Sequence, residues 1–300
     1  MIAKIEKRLH VFGSACHLLF TGSTEDGPEI LGLAEAELGR LAAKFASFLP
    51  GSVIDNINQS AGTGAFTLLD AESRSLLSYV TALWDQSSHI FDPTTCVLQD
   101  CYNAQGKLRA TDKQLQGMLK LVGWSELEVT PEGARLPVRG MALNLDNCVR
   151  PYAIDSVRKL LLKKGVTHAL IEMDQDAASI GKQSDGANWL VGLRQPSGAR
   201  TTIARLKLNN SGFALRGNFE HRVKIDGEYF GRALSPVDAQ PLPGLLSVGV
   251  IANTCLTACS AASIARLKTE QAGLQWLQKL GLPWMAIDRK LLCHGPLARG

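Results

Sequence analysis

The sequence predicts an α+β protein, on three observations. Helical periodicity fills the first third, short strand-like runs fill residues 166 to 231, and a charge-free segment near the C-terminus reads as a buried strand followed by a helix of small residues. Helices followed by a meander of strands argue against a doubly wound parallel sheet, in which the two alternate. No repeat, low-complexity tract or flexible linker interrupts the 300 residues, so residues 1–300 read as one domain whose two halves pack as a single unit.

The elements follow in order. Leu31, Ala34, Leu38, Leu41 and Phe45 recur at three- and four-residue steps after Pro28 and predict an amphipathic helix ending near Pro50. Beyond a loop, Asp70 is placed to cap a second helix whose stripe, Leu76, Val80 and Leu83, stops before Asp85-Gln86-Ser87-Ser88. Thr111 with Gln114 three residues later is a capping box and opens a third helix through Leu115, Met118 and Leu119. Pro151 reads as the first helical residue of a segment that runs to Lys164 and is stopped by Gly165. A buried strand over 166–173 comes next, then short strands over 188–193, 201–208, 221–225 and 228–231, the last two joined by an Asp226-Gly227 turn. Residues 245–252 form a further strand, 255–268 a helix and 284–287 a late strand.

The bulk numbers exclude several classes. The net charge of +4 comes from 32 basic and 28 acidic residues spread along the chain, so no field suited to nucleic acid is concentrated anywhere. Arg158 to Lys164, the densest basic run, reads as the solvated face of a helix. Seven cysteines, an odd number in a chain too large to need disulfide staples, fit a reducing compartment. Met1 to His10 holds no apolar run of signal-peptide length, so a cytoplasmic location is expected. Residues 239–265 carry no charge, yet Pro241, Pro243 and Asn253 lie among them, and insertion into a membrane is not expected.

Familiar motifs fail. Gly62-Thr63-Gly64 is followed by Thr67 where a dinucleotide fingerprint needs glycine, and Gly181-Lys182 is followed by Gln183, which breaks a phosphate loop. The six histidines have no chelating helical spacing. Cys255 and Cys259, one helical turn apart, read either as two thiols on one face of a metal site or as small core residues of an alanine-rich helix.

A set of longer matches carries more. Phe12-Gly13-Ser14, Ile54-Asp55-Asn56-Ile57-Asn58, Phe91-Asp92-Pro93-Thr94, the run from Leu143 through Asp155, Trp189-Leu190-Val191-Gly192-Leu193, Phe230-Gly231-Arg232-Ala233-Leu234-Ser235-Pro236 and Ser247-Val248-Gly249-Val250 resemble, in order and spacing, the motifs of the FAD:protein FMN transferase (ApbE-like) family. The resemblance covers roughly residues 9 to 290. It implies an ApbE-like, T-fold-like architecture of largely antiparallel sheets packed with helices. It also implies an enzyme that splits FAD and, with Mg2+, transfers FMN through a phosphoester to a Ser or Thr of a target flavoprotein. Carried over by position, Phe12, His89, Ile90, Phe91, Asn144, Arg150 and Asp155 fall at cofactor-binding places, Asn147, Cys259 and Ser263 at metal-binding places, and Arg232 at the place of a catalytic histidine.

The departures from the family pattern fall on the chemistry. Cys259 stands for a metal-binding Asp, and a thiol is a poor magnesium ligand. Arg232 cannot serve as a base near neutral pH. Asp174-Gln175 replaces a Gly-Gly pair, and Arg216 replaces a hydroxyl residue. Asp174 and Asp176 read either as a substitute metal site, with Asp146 and Ser263, or as a solvated loop; Arg150, Arg216 and Arg232 read either as a phosphate-binding cluster or as unrelated surface arginines. Phe91-Asp92-Pro93 reads as a pocket wall or as a turn in which Asp92 caps local backbone. The sequence therefore predicts a degenerate transferase with weak or no activity, or alternatively a non-catalytic flavin-binding or protein-interaction scaffold that aids maturation of a flavoprotein or redox complex.

Overall fold

A computed structural model describes residues 2–103, 106–194, 202–217, 223–225, 227–231 and 233–299. The chain opens with a hairpin of β1 (Ile2–Val11) and β2 (Ser14–Ser23), turned by Phe12 and Gly13, both at positive φ. The sequence reading had no strand here and began with helices. The signal was present as alternation: Ile5, Leu9 and Val11 pack on the core, while Lys4, Glu6 and Arg8 face outward in surface ion pairs or solvent.

Helix α1 (Gly27–Phe45) follows, then a short α2 (Val53–Gln59) where the sequence pattern predicts a loop, started by Ser52, whose hydroxyl accepts from the Asp55 N–H. Helix α3 (Ala71–Gln86) is capped by Asp70 as expected, and α4 (Asp112–Leu119) carries both halves of the Thr111/Gln114 capping box. A 3-10 helix (Pro93–Cys101) lies between them, and a minor ribbon, β3 (Glu128–Thr130) and β4 (Gly133–Arg135), follows.

Helix α5 (Asp146–Lys163) begins five residues before Pro151, which sits inside the helix and not at its start. Strand β5 is confined to Ala169–Met173, and a buried partner, β6 (Asp176–Ile180), returns after a tight turn. The ribbon β7 (Trp189–Arg194) and β8 (Thr202–Leu208) is followed by β9 (Gly212–Arg216) and a short hairpin, β10 (Val223–Ile225) and β11 (Glu228–Phe230). Asp226 of the expected turn lies outside the described residues. The chain ends with β12 (Ser247–Ala252), α6 (Cys255–Leu267), α7 (Glu270–Leu280), β13 (Trp284–Ile287) and β14 (Cys293–His294). The charge-free stretch is thus a strand and a helix, and among the described residues no helix is long and apolar enough to cross a membrane.

Eight strands form one antiparallel sheet in the order β1-β2-β5-β6-β9-β12-β13-β14. Strand alternation gives it two apolar faces. Cys16, Leu18, Phe20, Ile171, Met173, Ala178, Val248 and Val250 point toward helices α1, α5 and α6, whereas Leu170, Ala177, Phe213 and Met285 point toward the β7–β8 ribbon. The result is three layers, helices over sheet over ribbon. Arg216 and Asp176 share the helix face with Ala214 and Ala178, so two charged side chains are fixed by pleat parity inside the helix–sheet interface.

Candidate functional site

Five segments converge on one cleft of about 400 Å³: Ile90–Gln99, Asn144–Arg150 at the start of α5, Arg216-Gly217 at the end of β9, Ala233-Leu234, and Ser263–Leu267 at the end of α6. Each is shaped by local chemistry. After α3 the backbone reverses through Ser88 and His89, both at positive φ, and the His89 ring stacks on Trp84 with centroids 3.6 Å apart. Ser87 Oγ accepts from the Phe91 N–H at 2.9 Å. Asp92 then caps the 3-10 helix: its Oδ1 accepts from the Thr94 N–H at 2.8 Å and hydroxyl at 2.5 Å, while Oδ2 accepts from the Trp124 N–H at 2.9 Å. Asp92 is therefore a builder of the wall, and Ile90, Phe91 and Pro93 present the apolar surface.

The opposite wall starts from Pro151. Having no N–H, it cannot bond the carbonyl four residues back, and that carbonyl belongs to Asn147. The Asn147 oxygen instead accepts from the Cys259 thiol at 2.9 Å and lies 3.5 Å from Arg216 Nη2. Asn144 Oδ1 accepts from the Asp146 N–H at 2.8 Å and so opens α5, leaving Asp146 Oδ1 buried with no partner.

Arg216 occupies the centre. Its fork meets Asp176 with Nη1–Oδ1 at 2.6 Å and Nη2–Oδ2 at 2.8 Å, a bidentate pair in which Asp176 is only 5% exposed. Nε and Nη2 donate to Cys259 Sγ at 3.1 and 2.8 Å, and Nη1 donates to the Leu215 carbonyl at 2.9 Å. Every guanidinium N–H is thereby used within the protein. Burial pushes the Cys259 thiol pKa upward, more than the neighbouring Arg216 lowers it. The neutral thiol suits its position, donating to Asn147 and accepting from Arg216.

Arg150 and Arg266 complete the cations. Arg150 donates to Ser14 Oγ at 3.3 Å and stands 3.7 Å from Asp174, a partly solvated residue at positive φ in the β5–β6 turn. Arg266 projects from the last turn of α6, its Nε shut off from solvent with no acceptor. Desolvation and then the nearby Arg216 lower its pKa to about 10.

Of the residues expected at cofactor-binding places, Ile90, Phe91, Asn144 and Arg150 line the cleft. Phe12 is buried in the main core, and His89 stands on the outer side of its turn against Trp84. Asp155 requires a correction: its two oxygens accept from the Cys255 and Leu256 N–H groups at 2.9 and 2.8 Å, so it caps α6 from α5 and is spent on helix packing. Asn147 and Ser263 line the cleft at the expected metal-binding places, and Cys259 lies against both. Arg232 lies outside the described residues.

Nor are Arg150 and Arg216 unrelated surface arginines, since both line this cleft. Asp176 is no solvated loop residue, and its partner turn residue Asp174 points elsewhere, so the two do not form a site together. Sequence reasoning missed Arg266 altogether. Its signal was positional, because Cys259, Ser263 and Arg266 fall at i, i+4 and i+7 on one face of α6.

These residues do not fit a magnesium ion. A guanidinium donates into the Asn147 carbonyl and the Cys259 sulfur, and its charge opposes a second cation there. The thiol is protonated and soft, and Asp176 is consumed by Arg216. Among the described residues no group of three or more His, Cys, Asp or Glu side chains is placed to hold a metal.

Fold and cleft together define a class: an antiparallel α+β protein with an arginine-lined cleft between an apolar turn and two helix ends. The chain belongs to the ApbE family, whose model matches residues 12–285. It is 22% identical over 266 residues to the FAD:protein FMN transferase of Haemophilus influenzae, covering 85% of this chain and 77% of that protein. A FAD:protein FMN transferase of Klebsiella pneumoniae is 28% identical over 109 residues, 36% of this chain and 31% of that one. Among solved structures, the ApbE protein of Thermotoga maritima superposes with a TM-score of 0.83 at 20% identity, covering 98% of this chain and 97% of that one. The apo flavinyl transferase ApbE of Pseudomonas stutzeri gives 0.82 at 20% identity, with 96% and 92% covered. The fold expected from the sequence is the fold observed.

Proposed function

We propose that this ApbE-family chain binds FAD in the cleft and transfers FMN to a target flavoprotein weakly or not at all. The observation that carries the reading is Arg216. It fills the space between Asn147, Cys259 and Asp176 with a fixed guanidinium, so the side chains nearest the α6 end are committed to one another.

Binding is supported by shape and charge. The cleft volume falls within the roughly 300–1,000 Å³ of small-molecule sites. In the proposed pose the isoalloxazine ring packs on Ile90 and Phe91, and the pyrophosphate faces Arg150 and Arg266. Asp146 Oδ1, buried without a donor, accepts from a ligand N–H or hydroxyl.

Transfer needs more than binding. An acceptor hydroxyl must lose its proton, and the departing AMP must have its growing charge neutralised. Among the described cleft residues there is no histidine, Asp92 already takes three donors, and Asp146 alone has an uncommitted carboxylate oxygen. Positioning and charge are supplied, while proton transfer has one weak candidate.

The test is to incubate the chain with FAD, magnesium and a target carrying an acceptor Ser or Thr, alongside a FAD titration without target. Expected are saturable FAD binding and little covalent flavin on the target. Rapid target labelling with AMP release would overturn the claim of weak transfer. A folded chain that binds no FAD would overturn the binding claim and favour a protein-interaction scaffold.

A further inference from the structure

Arg266 is a partly buried cation that no partner among the described residues accounts for. It makes no hydrogen bond or ion pair among the described residues, and its Nε is closed to water. A guanidinium left this way is destabilising, since burial removes hydration and no carboxylate compensates. The surroundings nevertheless accommodate it closely. A Cβ added at Gly217 would lie 2.6 Å from Arg266 Nε, and one added at Gly231 would lie 2.6 Å from its Nη2. At Gly217 a Cβ would also lie 2.1 Å from the Leu246 carbonyl and φ is +93°, so the backbone itself asks for glycine there, whereas at Gly231 only Arg266 atoms lie within reach and an added Cβ would push the guanidinium aside.

Arg216 shows what kind of ligand would suit this end of the cleft. Its own charge is offset by Asp176 and its donors are all committed, so it acts as a fixed plug among Asn147, Cys259 and Ser263. It also sits near enough to Arg266 to disfavour that residue's charge. Arg216 is balanced by Asp176 and Arg150 stands beside Asp174, while the lining carboxylates Asp92 and Asp146 belong to the other walls, so Arg266 is the cation of the α6 end with no carboxylate paired to it among the described residues. A guanidinium with free N–H groups beside a second cation matches a phosphate oxygen pair in charge and geometry.

We infer that Arg266, backed by Arg216, is a metal-free diphosphate-binding site that takes the electrostatic place of a divalent cation in this cleft. The inference rests on the reading that a phosphate-bearing nucleotide enters the cleft. It goes beyond that reading by making the phosphate contact at Arg266 independent of metal.

The experiment titrates the full chain with FAD, by flavin fluorescence, and with inorganic pyrophosphate, by calorimetry, each in EDTA and in magnesium. The wild-type chain is expected to bind both probes at least as tightly in EDTA, because magnesium competes for the phosphates in solution. Arg266→Gln is expected to weaken both probes about tenfold or more, the size of a lost charge-assisted contact. Its thermal midpoint without ligand should be unchanged or higher, since an uncompensated charge has been removed. That combination separates a ligand-binding arginine from a structural one.

Affinity for either probe that appears only with magnesium would overturn the inference and leave FAD binding standing. Unchanged affinity in Arg266→Gln would overturn it as well. If pyrophosphate binds in EDTA and is lost in Arg266→Gln while FAD never binds, the phosphate site holds and the FAD reading falls. A second variant, Arg266→Lys, keeps the charge but not the fork, and is expected to fall between wild type and Arg266→Gln.

Discussion

Two buried aspartates flank the cleft, and they are satisfied in opposite ways. Asp92 takes neutral donors, two from Thr94 and one from Trp124, whereas Asp176 takes a bidentate guanidinium from Arg216, 40 residues along the chain. Neutral donors hold a carboxylate without adding charge, so the Ile90–Pro93 wall stays a surface of shape. A guanidinium cancels the carboxylate and brings its own commitments, so the β9–α6 wall is a locked electrostatic unit. One wall of the cleft is thus held by neutral donors and the other around a permanent cation.

The largest effect is expected for Arg216→Met. It leaves Asp176 buried and unpaired, and stability measured by urea unfolding should fall by about 3–5 kcal/mol. Adding Asp176→Leu should recover most of that, because two apolar side chains leave no orphan charge. A double variant as unstable as the single one would show that the pair is held by shape and not by charge.

Asp92→Ala should come next, at about 2–4 kcal/mol, from leaving the Thr94 and Trp124 donors without an acceptor. Asp92→Asn should cost clearly less by the same measurement, since it keeps an acceptor for Thr94. No rescue by a second substitution is expected there, because backbone donors cannot be mutated away.

Glu72 extends the comparison to a partly exposed carboxylate held by cations. Arg40 foremost, with Lys44 and Tyr152, outweighs desolvation and holds its pKa down at about 2 against the usual 4.5. The unfolded chain therefore binds the proton more readily, and the stabilisation is complete above pH 4.5 and lost as pH falls toward 2. After discounting for solvent, Glu72→Gln should remove about 1–2 kcal/mol at neutral pH and flatten the acid limb of the thermal midpoint against pH. A limb of unchanged steepness would assign acid sensitivity to other groups.

The smallest effect is expected for Cys259→Ser. A hydroxyl still donates to Asn147 and accepts from Arg216, so stability should move by no more than about 1 kcal/mol. A large loss would mean that the sulfur's size, and not its hydrogen bonding, sets the Arg216 position.

Several parts were legible because their causes are local. Asp70 capping α3, the Thr111/Gln114 box and the charge-free strand and helix all follow from residues a few positions apart. Pro151 misled for an instructive reason: as the sixth residue of α5 it breaks one helical bond, and the carbonyl it frees is used by the site. The first hairpin is hard to read from sequence because Lys4, Glu6 and Arg8 alternate with Ile5 and Leu9, a short amphipathic strand whose partner is set only by the turn at Phe12-Gly13.

Residue identity at short range carries the α+β class, the limits of α3 and α6 and the family resemblance, but not α2 or α7. Tertiary packing decides that Arg216, Asp176, Cys259 and Asn147 form one cluster and that Arg266 has no counter-charge among the described residues. Pleat parity in β6 and β9 and the face of α6 bring these residues together from four elements, and no spacing along the chain encodes which buried charge finds a partner.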